Sequence, residues 1–319
     1  MQIDTDLLKE FEEGLNPSKP EESKIPARVL GYGEISTVFE ILHDEQSNFA
    51  FKRMPLFDRL EQVERYRDVY NRYHERLDEI GIDVPEYGSV PIETDKGRIV
   101  LYLYQTKLPS ESIGNNLIHS FSETGVHNLV LAVLRKLSKV WKFNRRDAHS
   151  VEVAIDGQIS NWAVKKPSNE SEDFGEELFY LDTSTPLFRE SGEEQLDVEL
   201  FLKPTPPVIR WYLKKYYLHE IVDRYYDFRK VVIDLIANFL KEQRSELVPG
   251  LIDLVNNYFS TDGTIYDISP ITQEEIQEYY KDDASTWKLY LRVRKAHRFI
   301  KTKILRGYYA YILPADIER

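Results

Sequence analysis

From Ala27 onward the apolar positions come in short alternating runs. ARVLGYG, STVFEIL and NFAFKRM follow one another, each rich in Val, Ile, Leu or Phe and bounded by Gly, Asn, Asp or Ser. That pattern predicts three consecutive antiparallel strands. The period then changes: Leu60, Val63, Tyr70 and Leu77 fall on one helical stripe between Asp58 and Glu79. Asp58 stands as its expected N-cap, with Glu61 three residues on as an approximate capping box. EYGSVPI and GRIVLYLYQ then return to strand character, giving five strands with one helix inserted after the third.

The character shifts again at KLPSESIGNN. From Val126 to Trp141 the residues Leu129, Val133, Leu134, Leu137 and Trp141 keep helical spacing. Short strand-like pieces reappear at VEVAI, NWAV and LFYL, the last two separated by the hydrophilic stretch 165–177, expected as an exposed hairpin loop. Beyond them Val231, Val232, Leu235, Ile236, Phe239 and Leu240 give the spacing of a core helix. The reading is a two-lobed α+β chain: an N-terminal extension and linker over 1–26, a β-rich lobe over 27–107 and a mainly helical lobe over 108–319.

Composition narrows the chemistry. A chain of 319 residues with 42% hydrophobic and 13% aromatic content builds real cores, which excludes global disorder. No apolar run approaches the roughly 18 residues of a membrane-spanning helix, and the acidic start MQIDTDLLKEFEEG lacks the apolar region of a secretory signal. Zero cysteines exclude a disulfide scaffold, Cys-ligated zinc, iron–sulfur clusters and a cysteine nucleophile, and suit a cytoplasmic chain. The net charge of −12 argues against bulk nucleic-acid binding. The seven histidines show no metal-binding spacing and no G-x-S-x-G elbow is present.

Four signals occur in a meaningful order. Gly31-Tyr-Gly33-Glu-Ile-Ser36-Thr-Val38 places two glycines in a turn between strands, where backbone N–H groups can approach phosphates. Lys52 shares a strand face with Ala50, opposite Phe49 and Phe51. Asp156 and Asn161 stand five residues apart between two strand-like pieces, and Asp182 ends the apolar run LFYL. Each has an ordinary reading by itself: a hairpin turn, a snorkelling lysine, an Asp-Gly hairpin, a turn cap.

In this order, however, the residues resemble those of the protein-kinase-like superfamily. Gly31, Gly33, Ser36 and Val38 stand where that family has its G-x-G-x-x-G-x-V loop, Asp156 and Asn161 match its D-x-x-x-x-N catalytic loop, and Asp182 matches its metal-binding Asp. YLYQTKLP, containing Gln105, looks like the hinge that receives adenine. The chain departs from the pattern at Ser36, at Ala154-Ile155 in place of His-Arg, and at Thr183-Ser184 in place of Phe-Gly, and no A-P-E motif follows. It therefore resembles the divergent branch that includes aminoglycoside, choline and fructosamine kinases.

The resemblance implies ATP and Mg²⁺ as cofactors. Lys52 would hold the nucleotide phosphates with a partner from the first helix, Glu64 being favoured and Glu75 the alternative. Asn161 and Asp182 would hold the metal, and Asp156 would accept or orient the acceptor proton. It further implies a phosphotransferase acting on a small-molecule hydroxyl. A nucleotide-binding pseudokinase and a kinase-fold AMP transferase are the rivals, with a plain binding domain as the bland alternative.

Two basic runs stand out in this acidic chain. Arg135 to Arg146 belongs to the helix before the catalytic loop. Lys288 to Arg306 carries eight Lys and Arg and no acid, interleaved with Leu, Val, Phe and Ile. The second is read as the solvated side of a core helix or as a face for an anionic substrate, a lipid headgroup or RNA.

Overall fold

The computed structural model describes residues 3–32, 36–146, 150–165, 175–206, 210–211, 214, 222–261 and 268–314. Its N-terminal half is organised around five strands: β1 (Ala27–Tyr32), β2 (Thr37–Ile41), β3 (Phe49–Phe57), β4 (Tyr87–Glu93) and β5 (Ile99–Thr106). They pair antiparallel in the order β1-β2-β3-β5-β4. Strand alternation gives this sheet two different faces.

Phe39, Phe51 and Tyr102 lie on the outer face and are fully buried, because helix α1 (Thr5–Gly14) lays Leu8 and Phe11 against them. Phe11 stacks on Phe39 at 5.5 Å, and Tyr102 meets Phe11 and Phe39 edge-on. Residues before Ala27 thus form part of this lobe's core.

That apolar layer also holds an ion pair. Glu12 of α1 is fully buried and accepts from Arg53 Nε at 2.6 Å and Nη2 at 2.7 Å, and from the Tyr102 hydroxyl at 2.5 Å. Arg53 donates its remaining fork to the Ala310 carbonyl at 2.5 Å. The N-terminal helix and the returning C-terminal segment therefore meet on one guanidinium.

The inner face rests on helix α2 (Leu60–Ile80), which buries Val63, Tyr66, Val69, Tyr70, Tyr73 and Leu77. Leu60, expected on that stripe, is instead exposed. The expected cap also differs. Arg59 occupies the N-cap without a side-chain bond, the Gln62 carboxamide accepts from the Asp58 N–H at 2.8 Å, and the Asp58 carboxylate pairs with Lys203. Gly81, at φ 83°, closes the helix, its N–H bonding to the Asp78 and Leu77 carbonyls.

The second lobe is mainly helical. Short α3 (Gly114–Ser120) leads into α4 (Glu123–Arg146), the core helix expected over 126–141. Then come β6 (Val151–Val153), β7 (Trp162–Val164), β8 (Leu178–Tyr180), β9 (Phe188–Glu190) and β10 (Glu193–Glu194). Helices α5 (Phe228–Lys241), α6 (Val248–Thr261) and α7 (Gln273–Phe299) complete the described part. Trp141 ties α4 to α5, stacking on Phe228 at 4.6 Å and donating its indole N–H to the Tyr226 carbonyl.

The basic run on α4 is largely committed to structure. Lys136, almost fully buried, holds Asp83 at 2.9 Å and the Gly81 carbonyl at 3.0 Å, and so fixes the end of α2 to the second lobe.

Candidate active site

The 156–161 segment is not the loop of a hairpin. β6 pairs with β9, whereas β7 pairs with β8, so the segment joins strands of two separate small sheets. Its ends are fixed by side chains from elsewhere. Asn144, at the end of α4, brackets Val153 with two backbone bonds of 2.8 Å. The Tyr73 hydroxyl donates to the Ala154 carbonyl at 2.9 Å, and the Asp156 N–H donates to the Tyr180 hydroxyl at 3.3 Å.

Gly157 lets the turn press onto α5. A Cβ there would stand 2.7 Å from Val231 Cγ1 and 3.1 Å from the Val231 carbonyl oxygen. Asp156 itself accepts from the Gln158 N–H at 2.9 Å, an Asx-type turn that fixes the carboxylate direction.

Asp182 reaches the same place from β8. The Leu181 N–H donates to the Asn161 carbonyl at 2.8 Å, so the residue before Asp182 is pinned to the end of the 156–161 segment. Across the cleft Lys52 projects from the inner face of β3, opposite Val38 on β2 and Leu103 on β5. Its ammonium lies 2.6 Å from Asp182 Oδ1 and donates to the Ser184 hydroxyl at 3.2 Å. Ser184 in turn donates to Asp182 at 2.9 Å. Thr183-Ser184 is therefore a polar clasp on the Lys52–Asp182 pair.

The electrostatics separate the two carboxylates. Burial works to raise the Asp182 carboxyl, but the Lys52 ammonium and the Ser184 bonds outweigh it and hold the group below its ordinary range. Asp156 is pushed up to about 7, first by burial and then by the nearby Asp234 carboxylate, against the Gln158 N–H. Two carboxyls in one cleft, one kept ionised and one poised near neutrality, is an arrangement suited to metal holding and proton acceptance.

Not every expected residue joins them. Glu64 points away: its exposed carboxylate pairs with Arg67 at 3.0 Å, and α2 offers Lys52 no glutamate partner. The reason is the helix face. The positions turned to the cleft carry tyrosines, with Tyr66 donating to the Ser184 carbonyl at 2.8 Å and Tyr70 lining the cleft beside Lys52. Burial raises both phenols, so they stay neutral. The lysine partner is Asp182, a correction to the helix-glutamate expectation.

Val38, Ala50, Lys52, Leu103, Gln105 and Thr183 line the cleft, and the Gln105 amide donates across it to the Thr183 hydroxyl at 3.2 Å. Gly31 lies within β1, paired with Val38 beyond a bulge, and a Cβ there would meet nothing within 4 Å. Ser36 faces away from Lys52, lining a small cavity with Arg53, Arg294 and Tyr311. Gly33 lies outside the described residues.

One participant escaped the sequence reading. Asp234 is buried on α5, accepts from the Gln158 amide at 3.2 Å and is raised by burial. One turn on, Asn238 is also buried, and its side-chain amide reaches Gln158 Oε1 at 3.5 Å. The signal was available: Asp234 and Asn238 are polar positions four apart inside an otherwise apolar core helix.

The donor set fits a magnesium ion. Asp182 supplies an ionised, partly exposed carboxylate, Asn161 a carboxamide on the adjoining segment, and such hard oxygen ligands suit Mg²⁺. Among the described residues no group of three or more His, Cys, Asp or Glu gathers as a metal site. A metal here would therefore take the few-ligand form in which substrate and water complete the shell.

A five-stranded antiparallel sheet with one helix beneath it, over a mainly helical lobe, with Lys52 and Asp182 meeting between them, makes a two-lobed α+β fold. A sequence profile described as a family of unknown function, DUF6206, matches residues 18–298, and the chain belongs to that family. No curated protein matches it significantly. Among solved structures it is similar to one titled WaaP in complex with acyl carrier protein, at 15% identity and a TM-score of 0.32, covering 84% of this chain and 100% of that one. It is also similar to the amicoumacin kinase hAmiN in complex with AMP-PNP, Ca²⁺ and Ami, at 12% identity and a TM-score of 0.31, covering 92% and 94%. No described helix is long and apolar enough to cross a membrane.

Proposed function

We propose that this chain is an ATP- and Mg²⁺-dependent phosphotransferase acting on a small-molecule hydroxyl. The observation that carries the reading is the convergence of Lys52, Asp182 and Asp156 in one interlobe cleft, with Asp182 held ionised and Asp156 poised near neutrality. Phosphoryl transfer requires charge neutralisation and in-line placement more than covalent help from the protein. Bound Mg·ATP would supply the phosphoryl group and neutralise its charge.

The chain's own residues do the rest. Val38, Ala50 and Leu103 offer apolar walls, with Gln105 at the hinge edge. Lys52 would exchange part of its contact with Asp182 for phosphate oxygen, and Asp182 with Asn161 would hold the metal. Asp156 accepts the acceptor proton at its carboxylate, its orientation set by the Gln158 N–H. The acceptor side has Gln158, Asp234 and Asn238 as its polar floor, which suits a compact hydroxyl-bearing molecule.

A second reading has one observation behind it. Lys52 is occupied by Asp182 and lacks a glutamate from α2, an arrangement a nucleotide-binding regulator tolerates. Labelled nucleotide separates the readings. Transfer of label from γ-labelled ATP onto small-molecule acceptors, lost in Asp156→Asn, supports the phosphotransferase. Transfer from α-labelled ATP indicates AMP transfer. Stoichiometric Mg·ATP binding with no transfer indicates a regulator. Absence of any Mg·ATP binding overturns all three.

A further inference from the structure

The last long helix carries a charge gradient. Glu274, Glu275, Glu278, Asp282 and Asp283 lie in the first half of α7, while Lys288 to Arg306 holds eight bases and no acid. Bases near a helix C-terminus complement its dipole, which accounts for the sign of the charge. It does not account for their surroundings. Lys288, Arg292, Arg298, Lys301, Lys303 and Arg306 form no ion pair among the described residues, whereas elsewhere cations such as Lys136 and Arg229 hold carboxylates at 2.9 and 2.8 Å.

Interleaved with these free cations are large apolar side chains turned to solvent. Phe299 is 60% exposed, Ile304 64% and Leu305 70%, with exposed Ile300 next to Phe299 and exposed Leu289 ten residues before it. This is not a frayed end. Trp287, Leu291 and Arg294 bury the inner side of the helix before it, and Tyr309, Ile312 and Leu313 are buried after it. Between those anchors the helix widens into a π turn over Ile300–Ile304, closed by the Leu305 N–H on the Ile300 carbonyl at 3.0 Å and the Gly307 N–H on the Lys301 carbonyl at 2.7 Å. The fold thus holds out a projecting bend whose exposed surface is basic and apolar at once.

We infer that the 288–306 bend docks on an anionic lipid bilayer surface, with Lys288, Arg292, Arg298, Lys301, Lys303 and Arg306 meeting headgroup phosphates and Phe299, Ile300, Ile304 and Leu305 entering the acyl boundary. Charge complementarity selects this occupant. A basic amphipathic segment with exposed Phe, Leu and Ile is what an interfacial element requires, and neither half suffices without the other. A second copy joined through the same face would set bases against bases. Single-stranded RNA calls for a row of aromatic platforms, while most of the exposed apolar residues here are aliphatic.

Vesicle flotation with the full chain tests this, comparing neutral phosphatidylcholine vesicles with vesicles that also contain phosphatidylglycerol. The expected result is flotation with the anionic vesicles only, weakened by salt. Lys301→Glu/Lys303→Glu/Arg306→Glu should reduce it at least about tenfold, and Phe299→Ser/Ile304→Ser/Leu305→Ser should reduce it as well. Because all six side chains are exposed, both variants should keep the wild-type melting temperature, which is measured alongside. Equal flotation with neutral and anionic vesicles overturns the inference, as does flotation with neither. So does wild-type behaviour of both variants, or a dimer or RNA complex that these substitutions abolish while vesicle binding is absent.

Discussion

The Lys52 ammonium stands 2.6 Å from the Asp182 carboxylate, across 130 residues of sequence and the gap between two lobes. Everything proposed for the cleft turns on that pair. Asp182→Asn removes the carboxylate that holds Lys52 and that is proposed to hold the metal, so the rise in melting temperature with Mg·ATP should be lost or greatly reduced. The depressed Asp182 value also has a pH consequence. Its ionised form stabilises the folded chain above the unfolded carboxyl range, and that contribution disappears as pH falls through the folded value. Thermal melts should therefore show Asp182→Asn below wild type at neutral pH, the gap closing in acid.

Asp156 carries the opposite sign. Its folded value is raised to about 7 from 3.8, so the folded state retains a proton that the unfolded state releases. Its contribution to stability falls as pH rises between those values and is level above them. Asp156→Asn should gain melting temperature relative to wild type across that window while abolishing transfer. Wild-type transfer should rise with pH through about 7, since the base works ionised.

In the proposed reaction Asp234 would act through Asp156 rather than on the transferred group. After burial, its carboxylate is the largest influence raising Asp156. Asp234→Asn should shift the acid limb of the pH–rate profile to lower pH while leaving its plateau within reach of wild type. An unmoved limb would show that burial alone sets the Asp156 value.

Gly157 leaves no room for a methyl group against α5, where a Cβ would lie 2.7 Å from Val231 Cγ1. Gly157→Ala should destabilise by about 1–3 kcal/mol. Adding Val231→Ala should recover only part of that, because the Val231 carbonyl at 3.1 Å remains. Denaturant melts of the two single variants and the pair measure both effects.

On the outer face of the sheet, Glu12→Ala leaves the Arg53 guanidinium buried without its carboxylate. A loss of about 3–5 kcal/mol is expected from breaking such a pair. Replacing both partners, as Glu12→Leu with Arg53→Met, should restore most of it, since a packed apolar substitute carries no stranded charge. Chemical denaturation distinguishes this from a mere loosening of α1, which the double variant would not repair.

Much of this was legible in the chain order. Alternating runs gave the five strands, because a sheet whose two faces meet different surroundings leaves a period-two pattern. Val63, Tyr70 and Leu77 gave α2, because a helix on a sheet leaves a stripe. Lys52, Asp156, Asn161 and Asp182 stand out in the sequence because their order resembles that of the protein-kinase-like superfamily, each having an ordinary reading by itself. Partners set by side-chain direction and by distant segments were not legible. Glu64 and Tyr66 are two residues apart, yet the turn of the helix sends one to solvent and the other to the Ser184 carbonyl. Arg53 follows Lys52 in sequence, but the pleat directs it to Glu12 and the Ala310 carbonyl. Which elements form, and which residue types they carry, can be read along the chain, since local period and propensity act over a few residues. Which carboxylate answers Lys52, which raises Asp156 and which cations form no ion pair among the described residues emerge only on folding, because they depend on packing between segments far apart in the chain.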